Sequence, residues 1–128
     1  MKKTDSPDSA AVSQTGVSIS IIVPVYNRPG EVDELLSSLA AQSDTGFEVV
    51  IVEDGSTVSS LDVVDRYQDR LNISYHTKAN GGPSSARNAG AHVAGGSFLI
   101  ILDSDCQVPT EYVRAVRRHI DEDGVVFY

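Results

Sequence analysis

The sequence predicts an α/β fold, a mostly parallel sheet with flanking helices. Three observations carry this. Short, β-branched, nearly continuous apolar runs recur along the chain, as strands buried on both faces do. Segments with a helical apolar stripe separate them. Polar or acidic clusters end most of the runs, where open parallel sheets bind ligands. The alternation implies βαβ units with right-handed crossovers.

Residues 1–16, MKKTDSPDSAAVSQTG, are small and polar and are expected to form a disordered tail. Ala10-Ala11-Val12 is too short for the apolar core of an export signal. Residues 17–128 are expected to form the single domain. Its first strand is Ser18 to Val25, broken by Asn27-Arg28-Pro29-Gly30. Val32, Leu35, Leu36 and Leu39 then make one helical stripe. Glu31, Asp33 and Glu34 are placed in its first turn, where the helix dipole favours acids. Phe47 to Val52 is the second strand, ended by Glu53-Asp54-Gly55-Ser56-Thr57. Leu61, Val64 and Leu71 suggest a second, weaker helix.

Ile73 to His76 is a short strand, and Lys78 to Pro83 a glycine-containing loop. Pro83 suits the first position of a third helix. Its stripe, Ala86, Ala89, Gly90 and Val93, is built of small residues, and Gly95-Gly96 stops it. Ser97 to Leu102 is the next strand, ended by Asp103-Ser104-Asp105. Thr110 to Ile120 reads as a fourth helix with Val113, Val116 and Ile120 inward and Arg114, Arg117 and Arg118 outward. Val125 to Phe127 is expected to lie in a further strand with an edge prone to association.

Composition narrows the function. The chain has 128 residues and a formal net charge of -8, so general attraction to nucleic acid is disfavoured. A divalent cation remains compatible with an acidic site. One cysteine, Cys106, excludes an intrachain disulfide. No run reaches the roughly 18 apolar residues of a membrane span. The expected location is the cytoplasm, including the inner face of a membrane if another segment attaches it.

Asp103-Ser104-Asp105 offers two hard carboxylate ligands at a strand end, suited to Mg²⁺ or Mn²⁺ that also touches phosphate oxygens. The same spacing also describes a solvated acidic turn. Glu53-Asp54 could accept hydrogen bonds from a base or a ribose, or Asp54, Ser56 or Thr57 could cap a helix. Gly81-Gly82 leads into a helix start that, with Arg87, favours an anion. An ordinary capped helix with a surface arginine fits that segment too. No Gly-Lys-Ser/Thr follows, and no Gly-x-Gly-x-x-Gly follows the first strand, which disfavours a P-loop or a dinucleotide dehydrogenase. Tyr26 could stack on a base or simply pack. His76, His92, His119 and Cys106 are read as structural or surface residues.

In order along the chain, four segments resemble the nucleotide-sugar-binding half of family-two glycosyltransferases with the Rossmann-like GT-A fold. They are Ile19 to Asn27, Val49 to Ser56, Asn80 to Asn88, and Gly96 to Asp105. The resemblance covers about Val17 to the end. It implies transfer of a sugar from a nucleotide-diphosphate donor, UDP-sugar favoured, to a glycan, lipid or other hydroxyl acceptor with inversion. That is chemistry of the kind used in cell-surface polysaccharide biosynthesis. It implies that Pro24, Tyr26 and Asp54 line the nucleobase and ribose, that Glu53 supports Asp54, and that Arg87 faces the nucleotide. Asp103 would lie near the ribose, and Asp105, with Asp103, would hold Mn²⁺ or Mg²⁺.

Two departures stand out. Cys106 occupies the position of a third acid, and the acceptor-binding half with its catalytic base is expected beyond Tyr128, so the chain reads as a truncated part. It would bind donor and assemble with a missing half or with copies of itself. The competing readings are a non-catalytic nucleotide-binding module or pseudoenzyme fragment, and a nucleotidyltransferase. For the last, Asn27-Arg28-Pro29-Gly30 is a poor match to the basic glycine loop required.

Overall fold

The computed structural model describes residues 18–123, with side chains for 18–120. The expected N-terminal tail and the strand at Val125 to Phe127 lie outside the described residues. The elements alternate: β1 (Ile19–Val25), α1 (Pro29–Ala40), β2 (Phe47–Asp54), α2 (Leu61–Asp65), β3 (Ile73–Lys78), α3 (Pro83–Val93), β4 (Phe98–Ile101) and α4 (Tyr112–Asp123). The four strands form one sheet in the order β3-β2-β1-β4. Every pairing is parallel. Among the described residues no helix is long and apolar enough to cross a membrane.

The pleat of β1 sorts its side chains. Ile19, Ile21, Val23 and Val25 enter the main core, which α1 fills with Val32, Leu35, Leu36 and Leu39 as its stripe predicts. Ile22 faces the other way, packing with Val50, Val52 and Ala86 beneath α3. The small residues of α3 allow this close approach. A Cβ on Gly90 would sit 2.5 Å from Ile22 Cγ2, so only glycine fits without displacing the Ile22 side chain.

β1 carries a proline although it is central. Leu102 N–H donates to Ile22 O at 3.0 Å, so that edge of β1 faces β4. Pro24 lies on the same edge, past Ile22, the last residue of β1 that pairs with β4. Its missing N–H therefore costs no ladder bond. The loop after β4 returns to the α1 face of the sheet, where Ser104 Oγ donates to Glu31 Oε1 and α4 joins the main core, while α3 covers the opposite face.

The structure corrects several expectations. β2 runs on through Glu53 and Asp54, which belong to the strand and not to the turn after it. α2 has only 5 residues, and Leu61 is 44% exposed, so the inward positions are Val63 and Val64. Beyond it the chain tightens into turns such as Tyr67 N–H to Val64 O. Tyr67 is buried there, its hydroxyl donating to Asp33 Oδ1 at 2.6 Å. Asp33 thus ties α1 to this turn, and Glu31 is the acid of the first turn of α1. Val93 is 47% exposed and lies outside the packed stripe of α3.

Arg117, expected outward, is buried. Its Nε donates to Asp44 Oδ2 at 2.7 Å and a terminal nitrogen to Gly46 O at 2.7 Å. Burial pushes the Asp44 carboxyl up, but Arg117 and the Gly46 N–H outweigh it and hold it below its ordinary value. Gln42 completes the dock, donating to Pro109 O and accepting from Val113 N–H.

Candidate functional site

A cleft of about 470 Å³ lies at the carboxyl ends of β1, β2 and β4. Pro24 and Tyr26 enter it from the end of β1, Asp54 from β2, and Asp103, Ser104 and Asp105 from the loop after β4. Gly82, Pro83 and Ala86 close it at the start of α3. Tyr26 is 52% exposed, leaving its ring face open to a planar ligand.

Asp54 is buried. Its Oδ1 accepts from Gly81 N–H at 2.9 Å and Lys78 Nζ at 3.1 Å, and Oδ2 accepts from Gly82 N–H at 2.9 Å. Burial pushes the carboxyl up, but the Gly81 N–H, the Lys78 ammonium and the Gly82 N–H together hold it below the ordinary carboxylate value. Asp54 therefore shapes the cleft by pinning the β3–α3 loop. Gly82 adopts φ 93°, a left-handed conformation that presents its N–H to Asp54.

Glu53 does not line the cleft. One residue before Asp54, it lies on the opposite face of the strand. Its Oε1 accepts from Ser60 N–H and Tyr75 OH, each at 2.8 Å, and its Oε2 from Ser56 Oγ at 2.6 Å. Ser56 Oγ in turn accepts from Asn27 N–H at 2.8 Å. Asn27 has φ 54°, and its Oδ1 accepts from Thr57 and Val58 N–H at 2.8 and 2.9 Å. The loops after β1 and β2 are thus one hydrogen-bonded unit, with Tyr26 and Asp54 at its border. The N-cap of α2 is Ser60, not Asp54, Ser56 or Thr57.

Asp103 and Asp105 differ from both. They are exposed at the rim of the cleft. Ser104 donates to Glu31 Oε1 at 3.1 Å, orienting the loop against α1. Among the described residues no group of three or more His, Cys, Asp or Glu could hold a metal ion. Two hard oxygen donors at an open rim suit Mg²⁺ or Mn²⁺, which completes its shell with phosphate oxygens and water.

Arg87 stands one residue beyond Ala86 on α3 and does not line the cleft. Cys106 is half-buried and packs against the main core. His76 bonds Ser74 Oγ at 3.0 Å. The sequence reading gave no site role to Arg28, Glu31, Asn80 or Ser104, all of which line the cleft. Arg28 and Glu31 pair there at 3.6 Å. Asn27 had a usable signal, because asparagine is enriched at positive φ and follows a strand end here.

The glycosyl transferase family 2 model matches residues 20–128. TarS of Staphylococcus aureus, a poly(ribitol-phosphate) beta-N-acetylglucosaminyltransferase, is 39% identical over 110 residues, 83% of this chain and 19% of that protein. The validoxylamine A glucosyltransferase of Streptomyces hygroscopicus is 40% identical over 102 residues, 77% of this chain and 24% of that protein. The chain thus spans about a fifth to a quarter of the length of these curated relatives. The crystal structure of S. aureus TarS 1–349 with UDP-GlcNAc superposes with a TM-score of 0.79 at 39% identity, covering 84% of this chain and 32% of that one. The Pyrobaculum calidifontis mannosyltransferase PcManGT, with GDP-Man and Mn²⁺, has a TM-score of 0.76 at 24% identity, covering 84% of this chain and 33% of that one, and shows the shared fold alone. The four-stranded parallel sheet with flanking helices matches GT-A glycosyltransferase structures over about a third of their length, and the chain belongs to glycosyl transferase family 2.

Proposed function

We propose that residues 17–128 are the donor-binding part of a metal-assisted, inverting glycosyltransferase that uses a nucleotide-diphosphate sugar, UDP-sugar favoured. The observation that carries this is the cleft itself, with Tyr26 and Asp54 on one side and Asp103 and Asp105 on the other. Tyr26 offers an aromatic face and Asp54 an acceptor for a nucleobase. Asp105, with Asp103, would hold Mn²⁺ or Mg²⁺. The cation, when bound, supplies positive charge to the diphosphate leaving group. Arg28 adds a planar cation on the same wall. The relatives' printed activities, and UDP-GlcNAc bound to TarS, support the reading.

Donor binding and transfer draw on different parts. Alignment of an acceptor hydroxyl can supply roughly 7–11 kcal/mol, and a general base about 10²–10⁴-fold in rate. The roles proposed for the cleft residues are all toward the donor, so donor binding is expected from residues 17–128, and none of them is given a part in acceptor alignment or proton removal. Calorimetry tests the binding: UDP with Mn²⁺ should bind more tightly than UMP, because the cation needs the diphosphate. Equal binding of UDP and UMP, with and without Mn²⁺, would refute the metal-bridged donor site. Acceptor-dependent UDP release at ordinary enzyme rates would refute the donor-part reading.

A further inference from the structure

Asp54 meets the cleft with a carboxylate that is already largely engaged. Parallel pairing makes Lys78 the direct cross-strand partner of Asp54. Lys78 Nζ is fixed twice, by Asp54 Oδ1 at 3.1 Å and by Ala79 O at 2.6 Å. With Gly81 N–H also on Oδ1 and Gly82 N–H on Oδ2, three donors occupy this group. An ionised carboxylate offers about four lone-pair sites, two on each oxygen. Oδ1 is full, and Oδ2 keeps one site.

Nucleobases differ in what they ask of such a group. The pairing edge of guanine presents two adjacent donors, N1–H and the 2-amino group, which match both oxygens of a carboxylate. Uracil presents one donor, N3–H, between two carbonyls. We propose that the Lys78–Asp54–Gly81–Gly82 clamp selects the base. It leaves one acceptor for a single-donor imide edge and withholds the second acceptor that guanine needs. A guanine amino group pressed against the filled Oδ1 would lose its water without gaining a partner, and such unpaired groups are rejected strongly. The inference rests on the donor-site reading and adds Lys78 to it as a specificity-determining residue.

The test separates donor count from ring size. Inosine diphosphate is GDP without the 2-amino group, so it keeps a single donor on a purine. By calorimetry with Mn²⁺, wild-type protein should bind UDP more tightly than GDP, and inosine diphosphate about fivefold or more tighter than GDP. Lys78→Met keeps the apolar stem and frees a site on Oδ1, so GDP should gain on inosine diphosphate until the preference is lost. Lys78→Arg should restore it. GDP binding as well as inosine diphosphate to wild-type protein would overturn the proposal, as would an unchanged ratio in folded Lys78→Met. The wild-type comparison stands even if Lys78→Met does not fold. If none of the three nucleotides binds, the donor-site reading itself fails, and the clamp proposal with it.

Discussion

Glu53-Asp54 at the end of β2 and Asp103-Ser104-Asp105 after β4 are both acidic strand ends, yet their surroundings are opposite. Glu53 and Asp54 are buried, and between them they engage backbone N–H groups, hydroxyls and an ammonium. Asp103 and Asp105 are exposed, lining the rim of the cleft. A buried carboxylate surrounded by donors organises the loops that supply them, whereas a solvated one remains available to an incoming ion. The first pair builds the cleft, with Asp54 also lining it, and the second pair leaves its oxygens free at the rim.

The sharpest way to break this contrast is to delete an organising acid. Glu53→Ala strands the buried Ser60 N–H and takes one acceptor from the partly buried Tyr75 and Ser56 hydroxyls, which keep Ser59 Oγ and Asn27 N–H as partners. At about 1–3 kcal/mol for the one buried group left unsatisfied, stability should fall by about 1–3 kcal/mol in urea denaturation. A loss under about 0.5 kcal/mol, the range of ordinary surface changes, would show that the network is not structural.

Asp105→Ala should do the reverse. Stability should stay within about 0.5 kcal/mol, while the gain in UDP affinity from Mn²⁺ falls at least about tenfold, worth about 1.4 kcal/mol. A Mn²⁺ gain that survives the substitution would place the cation elsewhere.

Acid titration probes the same contrast more gently. The folded-state value of Asp54 is depressed below the ordinary 3.8, because donors from Gly81, Lys78 and Gly82 outweigh burial. Its contribution is therefore present above that ordinary value and lost as the pH falls below it through the folded-state value. Asp44 shifts the same way. Stability measured against pH should drop on this acid limb, and Asp54→Asn should flatten part of the drop. An identical slope in the variant would remove Asp54 from the clamp.

The smallest effect is expected at Cys106. It sits beside Asp105 in sequence but packs on the core, and a thiol is a soft ligand where hard oxygen is preferred. Cys106→Ser should keep Mn²⁺-dependent UDP binding within a few-fold. Complete loss in a folded variant would bring the thiol into the site.

Local pattern was enough for most of the fold. β-branched runs, the i, i+3, i+4, i+7 stripe of α1 and the small face of α3 follow from side-chain period and volume, which any stretch of chain carries within itself. The acids at the strand ends were legible for the same reason. Tertiary structure alone decided what those acids do. Asp54 meets Lys78 because β2 and β3 pair in parallel at that register, and Arg117 turns inward because Asp44 and Gly46 lie where α4 lands. Glu53 faces away from the cleft because the pleat inverts at each residue, and Asp54 faces the side where the β3–α3 loop and the start of α3 close the cleft. Such partners are 24 to 73 residues apart in the chain, so no local period encodes them. Burial removes the water that would otherwise satisfy each charge, and the donors that replace it come from whichever segments the topology brings alongside.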